Sequence, residues 1–323
     1  RRRGGGMAAA AASMSLRRMA ATSAGVGAAA GCLGTWFEMS HGVVCIPVLS
    51  LPPLALSQHV AIGSTVFGVA ARQALSAALY GLEPDTDLGD LDRLSQLVDV
   101  NACAVLASTS TVAALGATAF MARLPARPLR RANGVFLAAL SLFIQWRESR
   151  LQAMQSKAEA APAEAPAPAP GPGDALARRQ LMSTASNDYA RFIGLGAVSG
   201  AIIGLFGIGP AWLLAPVISV TGPSDGDGLG AGSADSIGDP ASDEFTRRTC
   251  CFAMVPASLA AAWRHFSLGN VTNAGAVALP LAAGAILGSA ICGPQLADIP
   301  SDDIRYGLSV LLFGNGCWLF FKN

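Results

Sequence analysis

The chain has 323 residues, of which 52% are hydrophobic and only 13% are charged, and its mean hydropathy is +0.45. A soluble domain carries about 25% charged residues, so this composition excludes an ordinary water-soluble domain and indicates a surface that faces lipid. The net charge of +1, without basic clusters beside aromatic residues, excludes a nucleic-acid partner.

The first 18 residues form a basic N-terminal tail. They contain five arginines and no acid, and the first acidic residue of the chain is Glu38. We interpret the tail as the cytoplasmic flank of a membrane protein, with a targeting leader as the alternative.

Apolar stretches with few charges recur along the chain. A membrane-spanning helix needs about 20 apolar residues, so the stretches are sufficient for eight or more crossings. Their approximate bounds are 19–51, 58–80, 98–121, 129–146, 189–220, 249–266, 270–293 and 304–321. We therefore expect an all-α, polytopic bundle of transmembrane helices, which is integral to the lipid bilayer of the plasma membrane or of an organelle.

The stretches 19–51 and 189–220 are too long for one straight crossing. Each would extend about 48 Å as a helix, whereas the hydrocarbon core is about 30 Å thick. Each has a glycine-rich centre and a late proline, Pro47 or Pro216. We predict that each is a broken helix or a re-entrant hairpin.

The two halves of the chain repeat one pattern. The two long stretches align without a gap at an offset of 169 residues, and three further apolar stretches follow each of them. This order predicts transmembrane repeat 1 at 19–150 and transmembrane repeat 2 at 189–323, joined by a disordered Ala/Pro-rich linker at 151–188. Internal duplication of this kind is typical of transporters.

The charges favour an inverted relation between the repeats. If each long stretch crosses twice, the arginines of the N-terminal tail and of the 122–131 loop fall on one side, which is then cytoplasmic. The acidic loops at 81–97 and 221–244 fall on the other side, and so do Arg147 and Arg150, which count against this arrangement.

The run GAVSGAIIGLFGIG at 196–209 resembles the glycine-rich signature of the TauE/SafE sulfite-exporter family, and Ala211 to Pro216 complete it. In the first half, HVAIGST at 59–65 resembles the small-residue and hydroxyl motif of that family. The resemblance covers 24–146 and 190–321. It implies a carrier whose partner is sulfite, a sulfonate or a related small anion.

The helix breaks are the predicted binding site. A broken helix exposes unpaired N–H groups and a positive dipole end, and glycine lets the backbone approach an oxyanion closely. Arginine at mid-membrane is costly unless it is paired or hydrated, so it marks a counter-charge or a structural ion pair. The candidate substrate-binding residues are Gly204, Phe206, Gly207, Gly209, Ser40, Ser64, Thr65 and Arg72. The alternative for the glycines is helix packing.

Glu38 and His41 lie at the first break and are the candidates for proton coupling. A buried carboxylate near an anion site can carry a proton, and histidine titrates near neutral pH. Glu38 has a second interpretation, as the salt-bridge partner of Arg72.

The sequence thus favours a secondary transporter of a small anion. The alternatives are an anion channel and a degenerate, non-transporting scaffold, because the first copy of the glycine motif reads TWFEMSHG at 35–42. No nucleophile–base motif or metal-ligand spacing occurs, so we expect no catalytic residue, metal or cofactor. The seven cysteines form no CxxC pair and are expected to be packing residues. The oligomeric state stays open.

Overall fold

The computed structural model describes residues 16–36, 40–52, 54–81, 98–160, 186–209, 214, 240–271, 273–292 and 301–321. Within these ranges every regular element is a helix, which confirms the predicted all-α class. The helices are α1 (Leu16–Trp36), α2 (Gly42–Leu49), α3 (Gln58–Gly81), α4 (Val100–Met121), α5 (Ala126–Ala160), α6 (Ser186–Phe206), α7 (Pro240–Ser267), α8 (Ala278–Cys292) and α9 (Ser301–Phe321).

Both long apolar stretches are interrupted. α1 ends at Trp36 and α2 begins at Gly42, while α6 ends at Phe206 and is followed by non-helical residues 207–209. Gly207 ends α6 because it adopts φ +65°, which glycine tolerates, and its N–H still donates to Ile203 O at 2.9 Å. Most of the second stretch beyond this break lies outside the described residues.

Among the residues that the structure describes, three helices are long and apolar enough to span a bilayer: Gln58–Ala78, Val100–Met121 and Tyr189–Phe206. The shorter apolar helices Ala278–Cys292 and Ser309–Phe321 accompany them. Large apolar side chains such as Val112 and Ile291 are exposed, at 72% and 63%, as expected for surfaces that contact lipid. α5 continues to Ala160 and so covers the first ten residues of the predicted linker, while 161–185 lie outside the described residues.

Two helix pairs, each made of one helix from either half, are parallel and pack closely at glycines. In the first, Gly27 and Gly31 of α1 lie against Leu281 and Ala285 of α8, where a Cβ would collide with the facing backbone. In the second, Gly196, Gly200 and Gly204 of α6 lie against Leu106, Ser110 and Ala114 of α4. Such contacts stabilise helices in lipid by close van der Waals packing. The first helix of each half thus packs on the last helix but one of the other half.

Counterpart helices of the two halves are antiparallel. In the α5–α9 pair, Gly134 faces Gly316, and Ser141 Oγ donates to Ser309 O at 2.7 Å. Residue numbers therefore rise along α5 as they fall along α9. In the α3–α7 pair, the backbone of Gly63 lies against that of Asn270, just past the end of α7. An inverted repeat requires this orientation, so the pairing supports that prediction.

Arginines lie at both ends of the bundle, but the described segments at one end contain no Asp or Glu beside them. His59 at the start of α3 lies 3.0 Å from Leu124 O in the α4–α5 turn, and it acts electrostatically on His265 near the end of α7. We call this the basic end. Its arginines are Arg123, Arg127, Arg130, Arg131 and Arg264. At the opposite end, Thr249 Oγ1 accepts a 3.0 Å hydrogen bond from the N–H of Asp99.

The cysteines include one correction to the sequence interpretation. Cys32 of α1 and Cys292 of α8 form a disulfide, so these two residues are not simple packing residues. The bond joins the two halves across the parallel α1–α8 pair. α8 begins after α7 has reached the basic end, so the disulfide lies toward the opposite end. The other five cysteines are free.

Candidate functional site

The two helix breaks meet at Ser40. Its Oγ accepts a hydrogen bond from the N–H of Gly42 at 3.3 Å and another from the N–H of Gly209 at 2.9 Å. Ser40 and Gly209 are 169 residues apart, which is the offset at which the two long stretches align. Equivalent positions of the two halves therefore touch. A serine oxygen occupies the place between two backbone donors where an anion oxygen would fit.

Glycine is required at these breaks by space as well as by conformation. A Cβ on Gly42 would collide with the carbonyl oxygen of Gly207. A Cβ on Gly209 would lie 3.0 Å from Gln73 Nε2 and 3.4 Å from Ser40 Oγ. Gly207 and Gly209 are both buried. The predicted glycines at 207 and 209 thus lie where the two breaks approach each other most closely.

His41 lies beside the contact between the two helix breaks. Its side chain is 1% exposed and packs against α3 at Gly68, where a Cβ would lie 2.7 Å from His41 Nε2. Neither ring nitrogen has a hydrogen-bond partner. Arg72, one turn further along α3, is close enough to act electrostatically on the ring. The structure therefore brings the predicted residues Ser40, His41 and Arg72 together.

The two predicted hydroxyl residues of α3 differ in their bonding. Thr65 Oγ1 donates to Ala61 O at 2.7 Å, within its own helix, and its methyl group faces Gly42. Ser64 is fully buried, and its Oγ has no partner. Ser64 is one turn from Gly68 on the same side of α3, so its free hydroxyl lies on the His41 side of the helix.

Gly204 and Phe206 lie away from the contact between the breaks. Gly204 packs against α4, where a Cβ would lie 2.8 Å from the Cβ of Ala117. The ring of Phe206 stacks on Phe136 of α5 with centroids 4.5 Å apart. These two residues therefore make helix-packing contacts. Glu38 lies outside the described residues.

Gln73 was missed by the sequence analysis. It is 9% exposed, its Oε1 has no partner, and its amide faces Gly209. The available signal was its position beside Arg72 within an apolar membrane helix, where an uncharged amide attracts less attention than an arginine. The described residues contain no group of three His, Cys, Asp or Glu side chains that could hold a metal ion.

The two interrupted helices, joined at their glycines, agree with a comparison against protein families. The model named "Sulfite exporter TauE/SafE" matches residues 23–226. The chain belongs to the TauE/SafE family. The match includes both helix breaks and every described residue of the site. Comparisons with curated proteins and with solved structures gave no match.

Family membership places this protein among integral membrane transporters of small anions. The match ends at residue 226, so α7, α8 and α9 lie beyond it. The packing of α8 on α1 nevertheless repeats the packing of α4 on α6 in the matched part. Those helices complete the bundle around the site.

Proposed function

We propose that this protein is a secondary carrier of a small oxyanion, namely sulfite, a sulfonate or a related organic anion. The observation that carries the proposal is the pair of backbone N–H groups, one from each break, that converge on Ser40 Oγ. Because Ser40 Oγ accepts both hydrogen bonds, its own proton remains for donation to a ligand. Buried N–H donors at helix breaks favour anions.

The surroundings of this pair suit an anion. Arg72 supplies positive charge, while Gln73, Ser64 and His41 supply groups that can donate hydrogen bonds. The segment 39–82 contains no Asp or Glu, so α2 and α3 present no competing negative charge. Gly207 and Gly209 have no side chain that would separate a ligand from the backbone of the break. Gly204 and Phe206 serve in this proposal as packing residues that hold the end of α6.

Proton coupling is the finer part of the proposal. His41 is buried with both ring nitrogens unpartnered, so it can bind a proton when the anion arrives. Glu38 precedes it in the chain and is the second candidate. A proton taken up beside the anion would offset the repulsion between a carboxylate and the substrate.

We also propose that the chain crosses the membrane as two inverted repeats. The antiparallel α3–α7 and α5–α9 pairs support this topology. The arginines of the basic end then lie on the cytoplasmic side. A pair of re-entrant breaks near the centre of such a bundle is the arrangement used for binding sites in repeat transporters.

The test is flux into liposomes that contain the purified protein. Uptake of labelled sulfite, sulfate and a small sulfonate is measured with and without a pH gradient. We expect saturable uptake of one anion, stimulated by the gradient. Arg72→Ala should raise the KM for the anion and Gly209→Leu should abolish uptake, while Arg264→Ala and Gly116→Leu should change neither. Arg264 is exposed at the basic end, and Gly116 has open space around it.

The outcomes separate the alternatives. Flux that does not saturate would favour an anion channel. Flux that is unchanged in both site variants, in amount and in KM, would keep transport and refute the site. Absence of flux and of anion binding, from protein with a normal unfolding transition, would favour the non-transporting scaffold.

A further inference from the structure

A second group of buried polar side chains lies between the helix breaks and the basic end. Gln58 of α3, Asn133 of α5 and His265 of α7 are 4%, 0% and 0% exposed. No hydrogen-bond partner is present for either amide atom of Gln58, for either amide atom of Asn133, or for Nε2 of His265. A buried unsatisfied polar group costs about 1–3 kcal/mol, so three on neighbouring helices require an explanation.

Gln58 and His265 come from elements that converge, and Asn133 lies on α5, which contacts α3 and the end of α6. Gln58 precedes His59, which lies 3.0 Å from Leu124 O in the turn that leads into α5, and His59 acts electrostatically on His265. Asn133 lies two turns into α5 on the face that carries Leu129 and Leu137 of the core. It is the polar residue of an otherwise apolar face.

This group of side chains extends toward the helix breaks. The ring of His265 lies close to the backbone of Gly204, in the last turn of α6 before the break, but Nε2 does not have the geometry of a hydrogen bond to it. Phe136, close to Asn133 on α5, stacks on Phe206 at the end of the same helix. The group therefore begins where α6 ends and continues to the arginines of the basic end.

The chemistry of the group suits an anion in transit. Gln58 and Asn133 carry N–H₂ donors, His265 can donate through Nε2, and Arg130 adds a buried Nε without a partner. The segments that form this region, 39–82, 100–147 and 245–297, contain no Asp or Glu. A row of donors without carboxylates attracts anions and repels cations.

We propose that Gln58, Asn133 and His265 line the half of the anion pathway that runs from the helix breaks to the basic end, and that this half is closed in the present structure. The inference rests on the proposed carrier function. Polar groups that are orphaned when the helices close become hydrated, or bind the passing anion, when the helices separate. Their cost in the closed conformation favours opening, which keeps the open conformation populated.

The test is thiol accessibility in sealed membrane vesicles of both orientations. The probe is a membrane-impermeant methanethiosulfonate that carries a sulfonate group. Gln58→Cys and Asn133→Cys are the test variants. Leu137→Cys, one turn beyond Asn133 and 1% exposed, is the matched apolar control. The wild type measures labelling of the free native cysteines. The exposed positions Arg127 and Asn101, each replaced by cysteine, report which end faces the reagent.

We expect Asn133→Cys and Gln58→Cys to react about tenfold faster than Leu137→Cys, as a minor open state of a few per cent would allow. The reaction should occur only from the side that labels Arg127→Cys. Reaction as slow as that of Leu137→Cys at both positions would overturn the pathway, as would reaction from the Asn101→Cys side. Liposome flux, measured separately on the wild type, tests the carrier itself, so either proposal can fail alone.

Discussion

Replacing Ser40 with alanine removes the one acceptor that both helix breaks share. The N–H groups of Gly42 and Gly209 donate to Ser40 Oγ at 3.3 and 2.9 Å in a buried site. Each would lose its partner, at a cost of about 1–3 kcal/mol per group. We therefore expect Ser40→Ala to lower the free energy of unfolding by about 2–6 kcal/mol.

Ser64→Ala is the matched control. Ser64 is also a buried serine at the site, but its Oγ has no hydrogen-bond partner, so its removal breaks no bond in this conformation. The assay is thermal unfolding of the purified variants in one detergent, followed by intrinsic fluorescence, together with anion uptake in liposomes. Equal stability of Ser40→Ala, Ser64→Ala and the wild type would refute the shared acceptor. A saturating anion should restore stability to Ser40→Ala, because its oxygen would satisfy the same N–H groups.

Three further predictions concern separate features. Gly207→Ala should destabilise the protein by about 1–2 kcal/mol because residue 207 has φ +65°. The control Gly314→Ala, in a helix with open space around the glycine, should stabilise the protein slightly, and thermal unfolding measures both changes. Cys32→Ser should lower the free energy of unfolding by about 2–4 kcal/mol through loss of the bond to Cys292. A thiol reductant should lower the unfolding temperature of the wild type to that of the variant, and an unfolding temperature unchanged by the reductant would contradict the disulfide. Arg72→Ala should raise the KM for the anion about tenfold or more while Arg72→Lys retains part of the affinity, since a hydrogen bond to a charged group contributes about 1.5–3 kcal/mol; unchanged KM in both would exclude Arg72 from the site.

Helical structure and the positions of the breaks were predictable because they depend on local properties of the chain. The length of an apolar stretch, compared with the thickness of a bilayer, predicted an interruption in 19–51, and the structure interrupts it between Trp36 and Gly42. The end of α6 at Gly207 was predictable for another local reason, because a glycine after an apolar run commonly terminates a helix.

Pairings between helices were less accessible. The parallel contact of α1 with α8 depends on glycines of α1 that face residues far along the chain, such as Gly31 against Ala285. Glycine spacing indicates that a helix has a close neighbour but does not identify the neighbour. The disulfide was missed for the same reason, since Cys32 and Cys292 are separated by 260 residues.

The site was predictable where charge or backbone geometry marked a residue, and less so where a neutral side chain completed it. Arg72 is conspicuous in an apolar helix, and Gly207 and Gly209 belong to a recognisable run. Gln73 and Asn133 are neutral amides, and only their burial without partners in the folded bundle distinguishes them.

The contact of Ser40 with Gly209 explains why the two copies of the glycine motif differ. Positions related by internal symmetry coincide only at the symmetry axis, so two identical residues there would present the same group to each other. Two glycines would leave both N–H groups unpaired in the absence of a ligand. A serine in one copy and a glycine in the other give one acceptor for the donors of both breaks. The first copy can therefore lose its glycines at this point without the loss of the donors, because the donors belong to the backbone and the serine oxygen accepts a hydrogen bond from each of them.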